Sequence, residues 1–243
     1  VSHFNNTKYG NKSNSKFIEM SIENFIWEPK CYDGFRETVE QEIFVDRIYE
    51  RFFEVEEGDI VFDIGASLGP FTYSILSKNP SHVFAFEPSF EEFKTLLLNT
   101  RHGNVTAINK GISSSIGEFN FTDVFDLTGG YKLYSTTFSK VIEDYNIKKI
   151  DFLKTDCESG EYDIFTIENL FWIKNNVRKI VGEWHLGQPW MKEKFRIFRD
   201  VYLRVFPNFK VISFDGIDIT WQIWNDNFIP YYNEVMIYID NSK

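Results

Sequence analysis

Cysteine is scarce in this chain of 243 residues, with Cys31 and Cys157 the only two. Two cysteines so far apart give neither a metal-binding spacing nor a disulfide framework, so a reducing, cytoplasmic setting is the expectation. Positive charge is also short: 26 Lys and Arg stand against 36 Asp and Glu, a formal net charge of −10. A partner built of bare phosphate backbone calls for clustered Lys and Arg, so no nucleic acid is expected. No apolar run approaches the length that crosses a bilayer, and no membrane partner is expected either. The opening "VSHFNNTKYGNKSNSKF" has no apolar stretch of the signal-peptide kind, and its Asn, Ser and Lys content reads as a flexible tail over 1–15. Linkers rich in Pro, Gly or Ser, internal repeats and low-complexity blocks are missing too. Residues 16–243 therefore read as one domain, with 16–58 a helical cap segment and 59–243 the core.

What the chain does have is aromatic bulk, 18% of all residues with 26 Phe, enough for a large core and a minority left to line a pocket. From Ile60 onward, short apolar runs alternate with amphipathic stretches, the signature of βαβ units around a parallel sheet. "DIVFDIG", "SHVFAFE", "NVTAINKGI", "KKIDFLKTD" and "RKIVGEWH" read as five successive strands. "GEFNFTDV" reads as an edge hairpin or excursion, and "EYDIFTIENLFWIK" as one helix. Ser89 to Glu92 has the form of a capping box for the helix after the second strand. "NFKVISFD" and "NEVMIYID" close the chain with no crossover helix between them, so one of the pair is antiparallel. The expectation is a Rossmann-like α/β fold: a seven-stranded, mostly parallel sheet with one late antiparallel strand and helices on both faces.

In such a sheet a ligand sits beyond the carboxyl ends of the strands. After the first strand, Gly65-Ala66-Ser67-Leu68-Gly69 spells G-x-S-x-G, the nucleophile elbow of serine hydrolases. The same letters also suit a tight turn whose backbone approaches a cofactor. A dinucleotide fingerprint needs Gly where Ser67 and Pro70 stand, which weakens a nicotinamide or flavin reading. Asp63 is placed to pair with a cation such as an ammonium, or simply to cap the turn. Glu87 follows the loop by about twenty residues, the spacing at which a carboxylate binds a ribose diol. Together the two strand ends point to one adenosyl ligand.

The later strand ends carry acids. "TDCESGE" brings Asp156, Glu158 and Glu161 together, and "GEWH" sets Glu183 and His185 two apart on one face. A histidine flanked by carboxylates suits a general base that deprotonates a substrate hydroxyl. Competing readings are a hydrogen-bonded structural histidine, acids that only favour the next helix N-terminus, and a divalent metal on Asp156, Glu158, Glu183 and His185. The last matches no compact metal motif, and no metal is expected. His3, His82 and His102 read as solvent-facing. The aromatic loop from Gly216 to Asn233 reads either as the wall of an acceptor pocket or as a cover over the sheet edge.

With "VFDIGASLGPFT", "VFAFEPSFEEFKTLLLN", "KKIDFLKTDCESGEYDIF" and "IVGEWH" in order, the chain resembles the FkbM family of S-adenosylmethionine-dependent methyltransferases. The resemblance implies that Asp63, Gly65, Ala66, Ser67 and Gly69 surround the methionine part of S-adenosyl-L-methionine and that Glu87 holds its ribose. It places Pro88 and Ser89 beside the adenosyl group and Gly111, Ile112 and Ser113 near the adenine. Asp156, Glu158 and His185 would face the methyl group, with Asp156 also bordering the cofactor and Glu183 beside His185. The implied reaction is O-methylation of a small-molecule hydroxyl acceptor, on a sugar, glycan or secondary metabolite. The chain departs from the family where Ser67 replaces a common Asn, Pro70 an aromatic and Ser159 a Gly. A serine hydrolase using Ser67, Asp156 and His185, and a cofactor-binding protein without turnover, are the alternatives.

Overall fold

The computed structural model describes residues 21–28, 34–121 and 131–242. The expected tail, His3 and Cys31 lie outside the described residues. A cap segment comes first: α1 (Phe35–Val39) runs into a wider turn at Glu40–Val45 and a 3-10 turn at Ile48–Glu50. There follow β1 (Ile60–Ile64), α2 (Pro70–Ile75), β2 (His82–Phe86), α3 (Phe90–Thr100) and β3 (Val105–Ile108). A second group comprises β4 (Gly111–Ile112), β5 (Gly117–Phe121), β6 (Tyr131–Thr136) and α4 (Phe138–Asp144). The remainder is β7 (Ile150–Thr155), α5 (Glu161–Ile164), α6 (Ile167–Asn176), β8 (Val177–His185), α7 (Pro189–Ile197), β9 (Phe209–Ser213) and β10 (Glu234–Asp240).

Seven strands form one sheet in the order β3-β2-β1-β7-β8-β10-β9, with β10 antiparallel to both neighbours and the other pairings parallel. This is the architecture expected from the alternating pattern. The order reverses between β1 and β7, the switch point at which open α/β sheets bind ligands. Alternation along the strands sorts the core into two layers. Phe62, Leu153, Ile180, Trp184 and Ile237 pack beneath α4, α6 and α7, through Phe138, Ile173 and Phe195. Val61, Phe152, Val181 and Met236 face the cap and α2, through Ile43, Tyr49, Phe71 and Ile75. Fully burying each of the large side chains contributes about 1.5–3 kcal/mol.

Four local readings change. "NVTAINKGI" is not one strand: β3 ends at Ile108, and Gly111–Ile112 leaves for a three-stranded sheet in the order β4-β6-β5. Within "GEFNFTDV", Gly117–Phe121 is β5 of that sheet, paired antiparallel with β6, and 122–124 lie outside the described residues. The single helix expected from Glu161 splits, because Thr166 turns extended and its hydroxyl accepts from the Asn169 N–H to start α6. Ser89 occupies the N-cap position of α3 without a capping side-chain bond; its own N–H donates instead to Glu87, at 2.7 Å. His82 is not purely solvent-facing: its Nε2 lies 2.8 Å from the Thr106 hydroxyl and its ring packs on Phe84. His102 is exposed, as expected.

The loop from Gly216 to Asn233 covers the free edge of β9. Ile219 donates to the Val211 carbonyl, and the Thr220 hydroxyl accepts from the Val211 N–H. Ile219, Ile223 and Ile229 are buried in the main core.

Two turns at the carboxyl edge place side-chain-bearing residues in the left-handed region. Ser67 has φ +50°, and Glu158 and Ser159 have φ +51° and +82°. Asn tolerates such a backbone better than Ser, and Gly better than either, which gives a physical basis for the residues that Ser67 and Ser159 replace. Gly160 keeps its own reason to be small, since a Cβ there would press on Cys157 and the Ile112 carbonyl. Replacing Ser159 by Gly is expected to relieve backbone strain and raise stability by about 1 kcal/mol, read as a higher thermal midpoint in calorimetry. A lower midpoint would show that the Ser159 side chain contributes more than its backbone costs.

Candidate active site

The carboxyl ends of β1, β2, β7 and β8 meet around one buried cation that the sequence reading passed over. Lys154, on the central strand β7, is almost fully buried, and a lone buried ammonium would cost several kcal/mol. Its Nζ lies 3.1 Å from Asp63 Oδ1, donates to the Gly65 carbonyl at 2.7 Å and stands 3.9 Å from Asp156 Oδ2. Burial opposes its charge, but Asp63 and Asp156 outweigh burial and push the Lys154 pKa up. Asp63, itself wholly buried, also accepts from the Thr72 hydroxyl at 2.7 Å. So the cation that Asp63 meets is internal. The contact also ties the glycine loop to β7, and a Cβ on Gly65 would collide with the Asp156 carbonyl.

Glu87 is held as tightly. One oxygen accepts the Ser67 N–H at 2.9 Å and the other the Ser89 N–H at 2.7 Å. The carboxylate therefore joins the loop after β1 to the start of α3, leaving a further lone pair on each oxygen. Burial, then the charge of Glu92, pushes its pKa up to about 8 against those two N–H groups and Lys154. Asn109 supports the same turn by donating to the carbonyls of Glu87 and Pro88. Ala66 is buried and Gly69 is left-handed at φ +86°. Gly111 and Ile112 lie on β4, and the Ser113 N–H donates to the Thr136 carbonyl.

At the other side of Lys154 stands the acidic cluster. Glu183 and His185 do share a face, with His185 Nε2 at 3.7 Å from Glu183 and 3.5 Å from Glu158. One donor atom from each of Asp156, Glu183 and His185 lies within 4.8 Å of the others. Burial would lower the His185 pKa, but the hydrogen bond to Glu161, its charge, and those of Asp156 and Glu158 push it up to about 10. Glu183 is pushed up to about 9 by burial and the charge of Asp156, with His185 opposing and Glu234 adding. The surroundings thus favour the protonated form of both His185 and Glu183.

Two members of this cluster come from the cap and were missed. The Tyr49 hydroxyl donates to Asp156 Oδ2 at 2.7 Å, and Lys154 lies 5.1 Å from the centre of its ring. Burial, then the charges of Asp156 and Glu234, raises the pKa of Glu42. The only available signal was the Lys inside the apolar run "IDFLKT". Nothing in the cap sequence marked Tyr49 or Glu42. The hydrolase reading gains no support, because His185 is engaged by Glu161, Glu158 and Glu183, and Asp156 by Tyr49, rather than by Ser67.

Sheet order, glycine loop and acids at four adjoining strand ends define a Rossmann-like α/β protein with a ligand edge at its switch point. The chain belongs to the FkbM methyltransferase domain family, whose model matches residues 63–204. It is similar to the hexuronic acid methyltransferase AglP of Haloferax volcanii, 26% identical over 145 residues, which cover 55% of this chain and 59% of that protein. It is also similar to the 31-O-demethyl-FK506 methyltransferase FkbM of Streptomyces tacrolimicus, 27% identical over 191 residues, covering 60% and 73%. The chain thus spans about three-fifths of the length of the first of these relatives. Among solved structures, an rRNA methylase from Streptococcus thermophilus has a TM-score of 0.47 at 10% identity, covering 78% of this chain and 90% of that one.

Lys154→Met leaves Asp63 as an uncompensated buried charge and is expected to cost about 3–5 kcal/mol in denaturant unfolding. A cost below 1 kcal/mol would show that the pair does not hold the loop. The cluster also sets a pH dependence. His185 keeps its proton up to about pH 10 when folded against 6.5 ordinarily, so its stabilisation is complete below 6.5 and lost on rising to 10. Glu183 keeps its proton to about 9 against 4.5, so stability again falls with rising pH, from 4.5 to 9. Both groups make the thermal midpoint fall between about pH 6.5 and 9, and Glu183→Gln is expected to raise it by about 2–4 °C at pH 8. An unchanged slope in Glu183→Gln would remove Glu183 from the account.

Proposed function

We propose that this protein is an S-adenosyl-L-methionine-dependent O-methyltransferase acting on a hydroxyl of a sugar or other small metabolite. The observation that carries the reading is Glu87, a buried carboxylate whose two oxygens are aimed by the N–H groups of Ser67 and Ser89. A diol is the group that such a carboxylate best receives, one hydroxyl per oxygen, and the ribose of the cofactor supplies it. The donor set fits the rest of the molecule: Asp156 keeps an oxygen not bonded to Tyr49, for an ammonium, and Asp63 shapes the loop through Lys154 rather than meeting the ligand. The two relatives, a hexuronic acid methyltransferase and a 31-O-demethyl-FK506 methyltransferase, support an oxygen acceptor.

When bound, S-adenosyl-L-methionine supplies a methyl group already made electrophilic by its sulfonium. The protein's share is to align the acceptor and remove its proton. Nε2 of His185 would take the proton of the acceptor hydroxyl, and the neighbouring carboxyl groups would orient that hydroxyl. A protonated His185 cannot do this. A positive ligand charge set against Asp156 offsets the carboxylates that hold the proton, and so lowers the His185 pKa toward the working range. Glu158 and Glu183 then flank Nε2 and orient the hydroxyl.

Isothermal titration is expected to show micromolar binding of S-adenosyl-L-methionine and of its demethylated product, weakened at least tenfold by Glu87→Ala. Labelled methyl transfer to a panel of sugars and polyols tests the reaction, with alkali-stable label marking an ether. The reading fails if neither ligand binds, or if the label enters only nitrogen or carbon.

A further inference from the structure

The third acid of "TDCESGE", Glu161, has a role that the cofactor does not require. Glu161 opens α5 and is wholly buried, where a carboxylate must find donors. Its Oε1 accepts the main-chain N–H of His185 at 2.8 Å and lies 3.3 Å from Nδ1 of the same residue. Its Oε2 lies 3.8 Å from the Cys157 thiol, which donates to it. The helix-terminus role open to such an acid gives no account of this geometry. α5 is one turn long, and the carboxylate meets the end of β8.

We propose that Glu161 is the positioning residue that makes Nδ1 of His185 a fixed proton donor and thereby leaves Nε2 as the ring's only acceptor, an inference that rests on His185 acting as the base. The main-chain bond anchors the carboxylate whether or not the ring is charged. Ring rotation is therefore not free to exchange the two nitrogens, because the flipped ring forfeits the Nδ1 contact to a buried anion. Tyr162 adds a second brace from α5, its hydroxyl donating to the His185 carbonyl at 2.9 Å. Around the ring, Glu158 comes from the β7–α5 turn and Glu183 from β8 itself, both at Nε2. Asp156 stands at the end of β7, and Glu234, across from His185 on β10, faces Glu183. Glu42 approaches from the cap, close enough to Asp156 and Glu234 to feel their charge. Glu158 and Glu183 compete for a proton at Nε2, whereas Glu161 stands at Nδ1, closer to the ring than either and anchored by the His185 N–H.

The test pairs nitrogen-resolved NMR of the His185 ring with kinetics of Glu161→Gln. In the unaltered protein a slowly exchanging Nδ1–H is expected, with the neutral form, reached at high pH, protonated on Nδ1. A neutral ring protonated on Nε2 overturns the proposal, and that measurement needs no variant. Glu161→Gln is expected to lower kcat by about 100-fold, within the span of general acid–base effects, with cofactor affinity held within threefold. It should also shift the acid limb of kcat/KM downward by about one pH unit, as removing a carboxylate partner requires. Unchanged kcat with an unchanged acid limb overturns it as well. His185→Gln separates the two levels: full activity there ends the base reading, whereas an inactive His185→Gln beside an active Glu161→Gln ends only this one.

Discussion

The ion pair between Lys154 and Asp63 sits where the sheet changes direction, and the geometry of the ligand edge depends on it. Neither charge tolerates its position alone. Lys154 bonds to the Gly65 carbonyl as well, so neutralising Asp63 and closing the loop after β1 are one event. With the loop closed, the Ser67 N–H reaches Glu87 and the Asp156 carbonyl lies against Gly65. A single buried lysine thus couples β1 to β7 and, through the loop, to the carboxylate after β2. Its remaining charge is directed at Asp156, from which Tyr49 carries the connection up into the cap.

The sheet was readable from the sequence because apolar runs of strand length recur between amphipathic stretches, and the chain's last two strands leave no room for a crossover. The strand-end acids were readable for a related reason: once strands are placed, topology says which residues reach the edge. Glu183 and His185 followed from strand alternation alone. What did not show was anything decided by a partner far along the chain. Tyr49 meets Asp156 across 107 residues, and the cap that carries it has neither strand nor long-helix periodicity. Lys154 stood in plain view inside a buried strand, yet a lysine there signals only that an anion must exist, not which one.

The capping box at Ser89 shows the opposite failure, a local rule overruled by a site. The sequence offered a hydroxyl for the α3 terminus, but the N–H of Ser89 is engaged by Glu87, whose other oxygen belongs to the glycine loop. Likewise "NVTAINKGI" has the letters of one strand, but the chain turns after Ile108 so that Gly111–Ile112 pairs with β6. Local propensity yields at such places because the competing bonds are buried and the local ones are not.

The two sides of Lys154 differ in how their charges are compensated, and the difference has a functional sense. Toward β1 and β2 the acids are few and each is met by named groups: Asp63 by the Thr72 hydroxyl and the Lys154 ammonium, and Glu87 by two N–H groups. Toward β8 and β10 the acids outnumber the cations. Asp156, Glu158, Glu183 and Glu234 gather round one imidazolium, with Glu42 above, and burial forces protons onto groups that ordinarily lose them. A fold seeking stability alone would replace Glu183 with a neutral residue. Glu183 stands with Asp156, Glu158 and Glu161 in the place where the proposed reaction takes a proton from a hydroxyl. Such a cluster is least costly when a positive ligand is seated beside it, so under the proposed function the arrangement that weakens the empty protein favours the occupied one.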